Sequence, residues 1–229
     1  MKPKLLDLFC GAGGCAVGYH RAGFDVVGVD IKPQPRYPFP FIEGDALDIL
    51  DALMHRNTIV WNEIGYGLFD FAVIHASPPC QAYSRMNRAV PTKALKLIPE
   101  LRERFATCGH VTVIENVEGS ELQGNVLMLC GTMFGLKLRR HRLFEISEPI
   151  CFLTPPCDCR GGVASGRLVG QMLSGKVAPG RKPRQGTSET ERPRLFGVPW
   201  MNPMEARQSI PPAYTEYIGK QLMTIIGCG

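Results

Sequence analysis

The run Lys4-Leu-Leu-Asp-Leu-Phe9 and the turn Cys10-Gly-Ala-Gly-Gly14 that follows it decide the fold. The apolar run predicts a short buried strand, and the glycines permit a tight turn that a ligand can approach closely. Residues 16–22 suit a helix that Gly23 would end, and residues 24–29 form a second apolar run. A strand, a glycine turn, a helix and a strand form half of a nucleotide-binding unit, which predicts a doubly wound, mostly parallel α/β sheet.

The glycine turn matches a pattern that is typical of nucleotide-binding proteins. Gly11, Gly13 and Ala16 fit G-x-G-x-x-G/A, and Asp30 lies 19 positions after Gly11, where a ribose-binding carboxylate is expected. The pattern alone fits a nicotinamide cofactor, S-adenosylmethionine or a purely structural turn.

A third strand is predicted at residues 41–45, followed by a helix at residues 46–56. Asp45 would lie at the carboxyl end of that strand, where ligands bind in open α/β sheets. Its carboxylate could accept a hydrogen bond from an adenine amino group, or it could cap the helix.

A second turn, Ser77-Pro-Pro-Cys-Gln81, follows a predicted fourth strand at residues 69–75. The two prolines fix φ and remove two backbone donors, so the turn is stiff and cannot continue a ladder. A stiff turn that presents the thiol of Cys80 is a suitable support for a nucleophile. A proline-rich turn with an incidental cysteine is the alternative.

The fifth predicted strand, residues 109–114, ends on Glu115-Asn-Val117. Because neighbouring parallel strands end at the same edge of a sheet, we expect Glu115 to lie near Cys80. Alternation from Arg140 onward predicts a strand with Arg140 and Arg142 on one face. These arginines could pair with Glu115, bind phosphate or face solvent.

The remaining segments predict one main domain, residues 1–147 and 200–229, with a small irregular insert at residues 148–199. Helical spacing recurs at residues 91–108, 200–208 and 213–226, and residues 82–90 resemble a mobile loop that could close over a substrate. Residues 160–194 carry a net charge of +6, whereas the whole chain carries +5. This segment is either a phosphate-binding surface or a solvated loop.

The composition fits a protein of the cytoplasm. No apolar run is long enough for a membrane helix, no signal segment precedes the first strand, and nine cysteines without a regular framework indicate reduced thiols. Cys151, Cys157 and Cys159, with His141 nearby, could bind zinc, but the spacing lacks a Cys-x2-Cys pair. We therefore predict no metal ligand.

Four motifs, in order, resemble those of the DNA (cytosine-5)-methyltransferases. They are Asp7-Leu-Phe-Cys-Gly-Ala-Gly-Gly14, Ser77-Pro-Pro-Cys-Gln81, Glu115-Asn-Val117 and Arg140-His-Arg142. Tyr217-Ile-Gly-Lys-Gln-Leu222 resembles, less closely, the segment that returns to the cofactor site.

The resemblance implies a Rossmann-like, class I fold and S-adenosylmethionine as the cofactor. The substrate would be duplex or single-stranded DNA, and the chain would act in the cytoplasm of a bacterium or of a phage host. The oligomeric state is left open, with a monomer favoured. The implied catalytic residues are Cys80, Glu115, Arg140 and Arg142. The implied cofactor-binding residues are Asp7, Phe9, Cys10, Gly11, Ala12, Gly13, Gly14, Asp30, Ile31, Asp45, Ala46, Pro78 and Gly219. The implied substrate-binding residues are Ser77, Pro79, Gln81, Ser84, Arg85, Arg88, Asn116 and Val117.

The sequence departs from the family pattern at three places. Leu138 stands where the family usually has glutamine, and Gly219-Lys-Gln221 replaces the usual Gly-Asn-Ser. Only the 52 residues from 148 to 199 are available for target recognition, which is short for a sequence-reading domain.

Three other functions remain open at this point. An amino-methyltransferase would have an aromatic residue where this chain has Cys80, which argues against that class. The same cytosine chemistry on RNA is compatible with the short insert. A catalytically idle protein that binds S-adenosylmethionine or DNA would not need Cys80, Glu115 and Arg142 together.

Overall fold

The computed structural model describes residues 1–83, 95–150, 153–158, 164–165 and 191–227. Among the described residues the strands, in chain order, are β1 Lys4–Leu8, β2 Asp25–Asp30, β3 Phe41–Glu43, β4 Ile59–Trp61, β5 Ile64–Tyr66, β6 Phe71–Ala76, β7 Val111–Asn116, β8 Val126–Leu129, β9 Leu138–Arg139, β10 Arg142–Ile146 and β11 Ala164–Ser165. The helices are α1 Gly14–Ala22, α2 Ala46–Met54, α3 Ile98–Cys108, α4 Arg192–Leu195, α5 Pro203–Gln208 and α6 Pro212–Ile226.

Seven strands form one sheet in the order β3-β2-β1-β6-β7-β10-β8. The five strands from β3 to β7 are parallel, whereas β10 runs antiparallel to both of its neighbours, β7 and β8. The predicted doubly wound, mostly parallel α/β sheet is therefore confirmed.

Separate hydrophobic clusters cover the two faces of this sheet. Successive residues of a strand point to opposite faces, so Leu5 and Val73 pack with α1 and α6, whereas Leu6 and Ile74 pack with α2 and α3. Burial on both faces explains why the central strands read as continuous apolar runs in the sequence.

Helices α1 and α6 approach each other closely because glycines lie at their contact. A Cβ atom on Gly18 would lie 2.0 Å from Thr215 Oγ1 and 2.2 Å from the carbonyl oxygen of Pro212. On the other helix, a Cβ atom on Gly219 would lie 2.6 Å from Ala22 Cβ. The missing Cβ atoms at these two glycines thus allow α6 to pack closely against α1.

Several element boundaries differ from the predictions. Of the helix predicted at residues 91–108, residues 91–94 lie outside the described residues, and α3 begins at Ile98. The predicted helix at 200–208 begins at Pro203. The Asn202 side chain accepts hydrogen bonds from the two backbone N–H groups of Met204 and Glu205, which fixes this helix start. The β4–β5 hairpin was not predicted from the sequence.

The predicted strand through Arg140 was wrong. Arg140 and His141 lie in a break between β9 and β10, and Arg142 is the first residue of β10. The two arginines therefore do not share a strand face. No helix among the described residues is long and apolar enough to span a bilayer.

We predict that Gly18→Ala destabilises the protein, because the added methyl group would overlap a backbone carbonyl and a hydroxyl that cannot both move away. Overpacking of this kind lowers the free energy of unfolding by about 2 kcal/mol or more. The midpoint of urea denaturation would measure the change.

Gly65→Ala is the matched control, since the nearest atom to its added Cβ is Thr58 Cβ at 3.9 Å. Its effect should stay below about 1 kcal/mol. Equal midpoints for the two variants would contradict the close α1–α6 contact.

Candidate active site

The site lies where the strand order of the sheet reverses, between β1 and β6. Ligands of open α/β sheets bind in the crevice at this point, beyond the carboxyl ends of the strands. The glycine turn follows β1 and the proline–cysteine turn follows β6, so both face the same crevice. A cavity of about 550 Å³ opens between them.

The glycine turn is held in shape by Asp30. Its Oδ2 accepts a hydrogen bond from the backbone N–H of Gly11, and its Oδ1 accepts one from that of Lys32, both at 3.0 Å. Phe9, Gly11 and Gly13 all have positive φ, at 58°, 49° and 87°. Each oxygen of the Asp30 carboxylate retains a further lone pair for a ligand.

Asp7 is a buried carboxyl group at the floor of the cavity. It has no exposed surface, and neither oxygen has a hydrogen-bond partner among the described residues. Burial, and then the neighbouring charge of Asp30, raise the pKa of Asp7 well above its usual range. A cationic ligand group beside Asp7 would offset this cost.

The proline–cysteine turn is fixed by a hydrogen bond from the next strand. The side-chain amide of Asn116 donates to the Pro78 carbonyl at 3.0 Å, and its oxygen accepts from the backbone N–H of Val117 at 2.9 Å. The turn then enters a 3-10 turn at Cys80, whose side chain is half-buried and lines the cavity. The thiol is thus accessible and its backbone is held.

A buried hydrogen-bonded chain supports the same turn from below. Tyr19 Oη lies 3.0 Å from His75 Nδ1, and His75 Nε2 lies 2.8 Å from Ser77 Oγ. Burial lowers the pKa of His75 to about 3, so its ring is neutral and bridges the two hydroxyls. Sequence reasoning missed His75 because its position within a buried strand gave no sign of a polar partner.

Glu115 and Arg142 form a pair at the wall of the cavity. Glu115 is 5% exposed, and its Oε1 lies 3.0 Å from Arg142 Nε without the alignment of a good hydrogen bond. Burial raises the pKa of Glu115, against the opposing effects of Arg142, Arg140 and Ser77. A raised pKa makes this carboxyl group a proton donor to a buried ligand atom.

Arg140 reaches the cavity from the break before β10. Its Nη2 donates to the backbone oxygens of Arg207 and Gln208 at 3.1 and 3.3 Å, and its guanidinium lies over the ring of Phe196. Its Nε has no hydrogen-bond partner in the described part of the chain. Burial and the positive charge of Arg142 lower the pKa of Arg140, a cost that an anionic or carbonyl ligand group would relieve.

Most of the predicted site residues come together around the cavity. Those that line it are Asp7, Phe9, Cys10, Gly11, Ala12, Gly14, Asp30, Ile31, Ser77, Pro78, Pro79, Cys80, Gln81, Glu115, Arg140 and Arg142.

Other predicted residues have different positions. Asp45 caps α2, accepting from the backbone N–H groups of Leu47 and Asp48, so the capping alternative is the one observed. Gly219 packs α6 against α1, and Ala46 is buried in a hydrophobic cluster; neither lines the cavity. Gly13, Asn116 and Val117 do not line the cavity, although Asn116 holds the turn that does. Ser84, Arg85, Arg88 and most of the basic segment lie outside the described residues.

Few features of the sequence point to the segment that covers the cavity. Residues 204–210 except Ala206, together with Lys32 and Gln34, complete its lining. Trp200 fixes this cover, since its Nε1 donates to the carbonyl oxygen of Ala12 at 2.9 Å. A Cβ atom on Gly14 would lie 2.4 Å from the carbonyl oxygen of Ile210, so this contact requires glycine. The glycine at position 14 was the one sign of the contact in the sequence.

A family model for C-5 cytosine-specific DNA methylase matches residues 3–119. The type II methyltransferase M.AquIA of Picosynechococcus sp. is 31% identical over 134 residues, which cover 52% of this chain and 50% of that protein. The type II methyltransferase M.XorII of Xanthomonas oryzae pv. oryzae is 27% identical over 131 residues, which cover 52% of this chain and 29% of that protein. The chain thus spans about half the length of the first relative and less of the second.

Two solved structures share the fold over nearly the whole chain. The Dnmt2 methyltransferase of S. pombe superposes with a TM-score of 0.61 at 12% identity, covering 98% of this chain and 99% of that one. The Entamoeba histolytica methyltransferase EhMeth superposes with a TM-score of 0.60 at 12% identity, covering 99% of each chain. The expected class I methyltransferase fold is confirmed.

We predict that Glu115→Gln becomes more stable relative to the wild type as the pH rises above 4.5, the ordinary pKa of this group. The folded protein holds the Glu115 proton more tightly than the unfolded chain does. That stabilisation is complete at low pH and is lost as the pH rises through the raised pKa. Glutamine never ionises, so it avoids the loss. Urea denaturation over a pH series would measure the difference.

Asp51→Asn is the control with the opposite sign, because a hydrogen bond from Arg104 lowers the pKa of Asp51. Its stabilising effect is present at neutral pH and is lost on acidification. The variant should therefore lose stability relative to the wild type as the pH rises. Parallel pH profiles for both variants would refute the assignment for Glu115.

Proposed function

Because the chain belongs to the C-5 cytosine-specific DNA methylase family, we propose that it transfers a methyl group from S-adenosylmethionine to carbon 5 of cytosine in DNA. One observation carries the proposal: the thiol of Cys80, the carboxyl group of Glu115 and the guanidinium of Arg142 line the same cavity as the glycine turn.

The residues around the glycine turn fit S-adenosylmethionine. This cofactor carries an ammonium and a sulfonium charge, and the unpartnered, buried carboxyl group of Asp7 is a suitable partner for a cation. Asp30 would accept hydrogen bonds from the ribose hydroxyls, and the backbone of residues 10–14 would lie against the cofactor. When bound, the cofactor supplies an electrophilic methyl group.

Cys80 would act as the nucleophile. Carbon 5 of cytosine reacts poorly with electrophiles until a thiolate adds to carbon 6 and makes the ring electron-rich. The new bond joins Cys80 Sγ to carbon 6, and carbon 5 then takes the methyl group. A water molecule, acting as the base, takes the proton from carbon 5, and the electrons of that C–H bond restore the double bond and expel the Cys80 thiolate, so the enzyme is regenerated.

Glu115 would stabilise the charge that this addition creates. Thiolate attack places negative charge on the ring, centred at nitrogen 3, and a neutral Glu115 carboxyl group can donate a proton there. The burial that raises the pKa of Glu115 keeps this proton available. When the thiolate leaves, the proton returns to the carboxyl group.

The two arginines would have separate tasks. Arg142 pairs with Glu115 and holds its carboxyl group in position. Arg140, with a buried and unpartnered Nε, would donate to the carbonyl oxygen of the base.

The substrate is DNA in this proposal, in duplex or single-stranded form. A base in a duplex must leave the stack to enter such a cavity, at a cost of a few kcal/mol, and a single strand avoids most of this cost. We assign phosphate contacts to Ser84, Arg85 and Arg88 and to the basic segment 160–194. We further propose that residues 148–199 form a reduced target-recognition insert and that the enzyme acts as a monomer.

We predict that Cys80→Ala abolishes methyl transfer and leaves S-adenosylmethionine binding within about threefold of the wild type, because the nucleophile and the glycine turn are separate elements. Incorporation of tritiated methyl groups and calorimetric cofactor titration would measure the two properties. DNA that contains 5-fluorocytosine should trap wild-type protein as a denaturant-resistant adduct, since fluorine cannot leave as a cation.

Cys108→Ala is the matched control, because that thiol is buried in a hydrophobic cluster, donates to the carbonyl oxygen of Phe105 and does not line the cavity. It should transfer methyl groups and form the adduct normally. Adduct formation by the Cys80→Ala variant would overturn the proposed mechanism.

A substrate panel tests the choice of nucleic acid. Duplex DNA, single-stranded DNA and RNA are each incubated with tritiated cofactor and digested to nucleosides. We expect label in 5-methylcytosine from DNA. Label in RNA alone would reassign the substrate, and cofactor binding without any label would indicate an idle binding protein.

A further inference from the structure

Outside the cavity, three side chains of types that can bind a metal lie close together. Cys130 follows β8, His141 lies in the break between β9 and β10, and Cys157 belongs to residues 153–158. The two cysteine Sγ atoms and a ring nitrogen of His141 all lie within 4.8 Å of one another. His141 Nε2 is 3.4 Å from Cys157 Sγ. Far from each other in sequence, these residues are brought together by the fold.

We propose that Cys130, His141 and Cys157 bind a zinc ion. Zn–S bonds of about 2.3 Å and Zn–N bonds of about 2.0 Å place tetrahedral ligand atoms roughly 3.5 to 3.8 Å apart. The observed separations therefore need adjustments of about 1 Å or less. Three protein ligands leave the fourth position to water or to another donor.

The surroundings of His141 favour this role. Its Nδ1 lies 3.2 Å from Glu118 Oε1, and its Nε2 lies 3.4 Å from Cys157 Sγ. A hydrogen bond from Nδ1 to this carboxylate would leave the lone pair of Nε2 for the metal. A carboxylate behind a ligating histidine is the usual outer partner in zinc sites. Thr132 Oγ1, at 3.5 Å from Cys157 Sγ, can donate a hydrogen bond to a bound thiolate.

The donor set selects the class of metal. Two sulfurs and one imidazole nitrogen suit zinc, whereas Mg²⁺ and Ca²⁺ prefer oxygen ligands. Each cysteine must lose its proton to become a ligand, so binding releases protons to the solvent.

This set differs from the one that the sequence brought into consideration. His141 and Cys157 were candidates, but Cys130 was not, and Cys151 and Cys159 lie outside the described residues. The prediction of no metal ligand is replaced by this proposal. Cys130 was missed because it lies 27 positions before Cys157 and shares no short spacing with it.

A bound zinc would act on the architecture of the active site. His141 lies between Arg140 and Arg142, and its carbonyl oxygen accepts a hydrogen bond from Arg142 Nη1 at 2.7 Å. A metal that fixes His141 would fix this break in the backbone and attach residues 153–158 to the core. The proposal concerns a structural ion and does not depend on the proposed methyl transfer.

Metal analysis of the purified full chain tests the proposal. Wild-type protein and the control Cys108→Ser should each contain about one zinc per chain, whereas Cys130→Ser and Cys157→Ser should contain less than about a fifth of that. Equal zinc in all four proteins, or no zinc in the wild type after expression with added zinc, would overturn it.

Cobalt titration of metal-free wild-type protein keeps the test independent of how the variants fold. We expect one equivalent of Co²⁺ to give a thiolate charge-transfer band and the intense visible bands of a tetrahedral site, which added Zn²⁺ then removes. Weak octahedral bands without charge transfer would show that the two sulfurs do not bind the metal.

Discussion

The close contact between α1 and α6 is the constraint on which the active site depends. Gly18 lets the two helices meet, and Thr215 Oγ1 donates to the carbonyl oxygen of Cys15 at 2.8 Å across the contact. The position of α6 in turn brings residues 204–210 over the glycine turn, where they complete the cavity. A core packing requirement at the end of the chain therefore shapes a site that begins at its first strand.

The cavity contains groups that are costly to bury. Asp7 has no hydrogen-bond partner among the residues the structure describes, and Arg140 leaves its Nε unpaired. Burial raises the pKa of Asp7 and lowers that of Arg140, so it favours the neutral form of each group. Stability alone would favour apolar side chains at these positions. A ligand with a cationic group beside Asp7 and an anionic or carbonyl group beside Arg140 would offset the cost of burying both. The presence of these two groups in one cleft is therefore an argument for a ligand-binding function.

The sequence predicted the parts of the site that depend on local chain geometry. Glycine and proline turns after apolar runs are local signals, so Gly11, Cys80 and Glu115 could be assigned to one edge of the sheet. Contacts between distant segments left no such signal, which is why the cover at residues 204–210 and the supporting role of His75 were missed. Arg140 was wrongly predicted to lie in a strand, because the alternating pattern of the sequence runs on across the break between β9 and β10. In the structure, Arg140 instead contacts the distant residue Arg207.

The relative position of the Cys80 thiol and the Glu115 carboxyl group depends on one further hydrogen bond. Glu115 and Asn116 are neighbours on β7, and their side chains have different tasks: the first faces the cavity, while the second donates to the Pro78 carbonyl. The turn that carries Cys80 is thus attached to the strand that carries Glu115. Since Pro78 and Pro79 remove backbone donors that could anchor the turn otherwise, the amide of Asn116 replaces them. The thiol and the carboxyl group are consequently positioned as one unit, before any substrate enters.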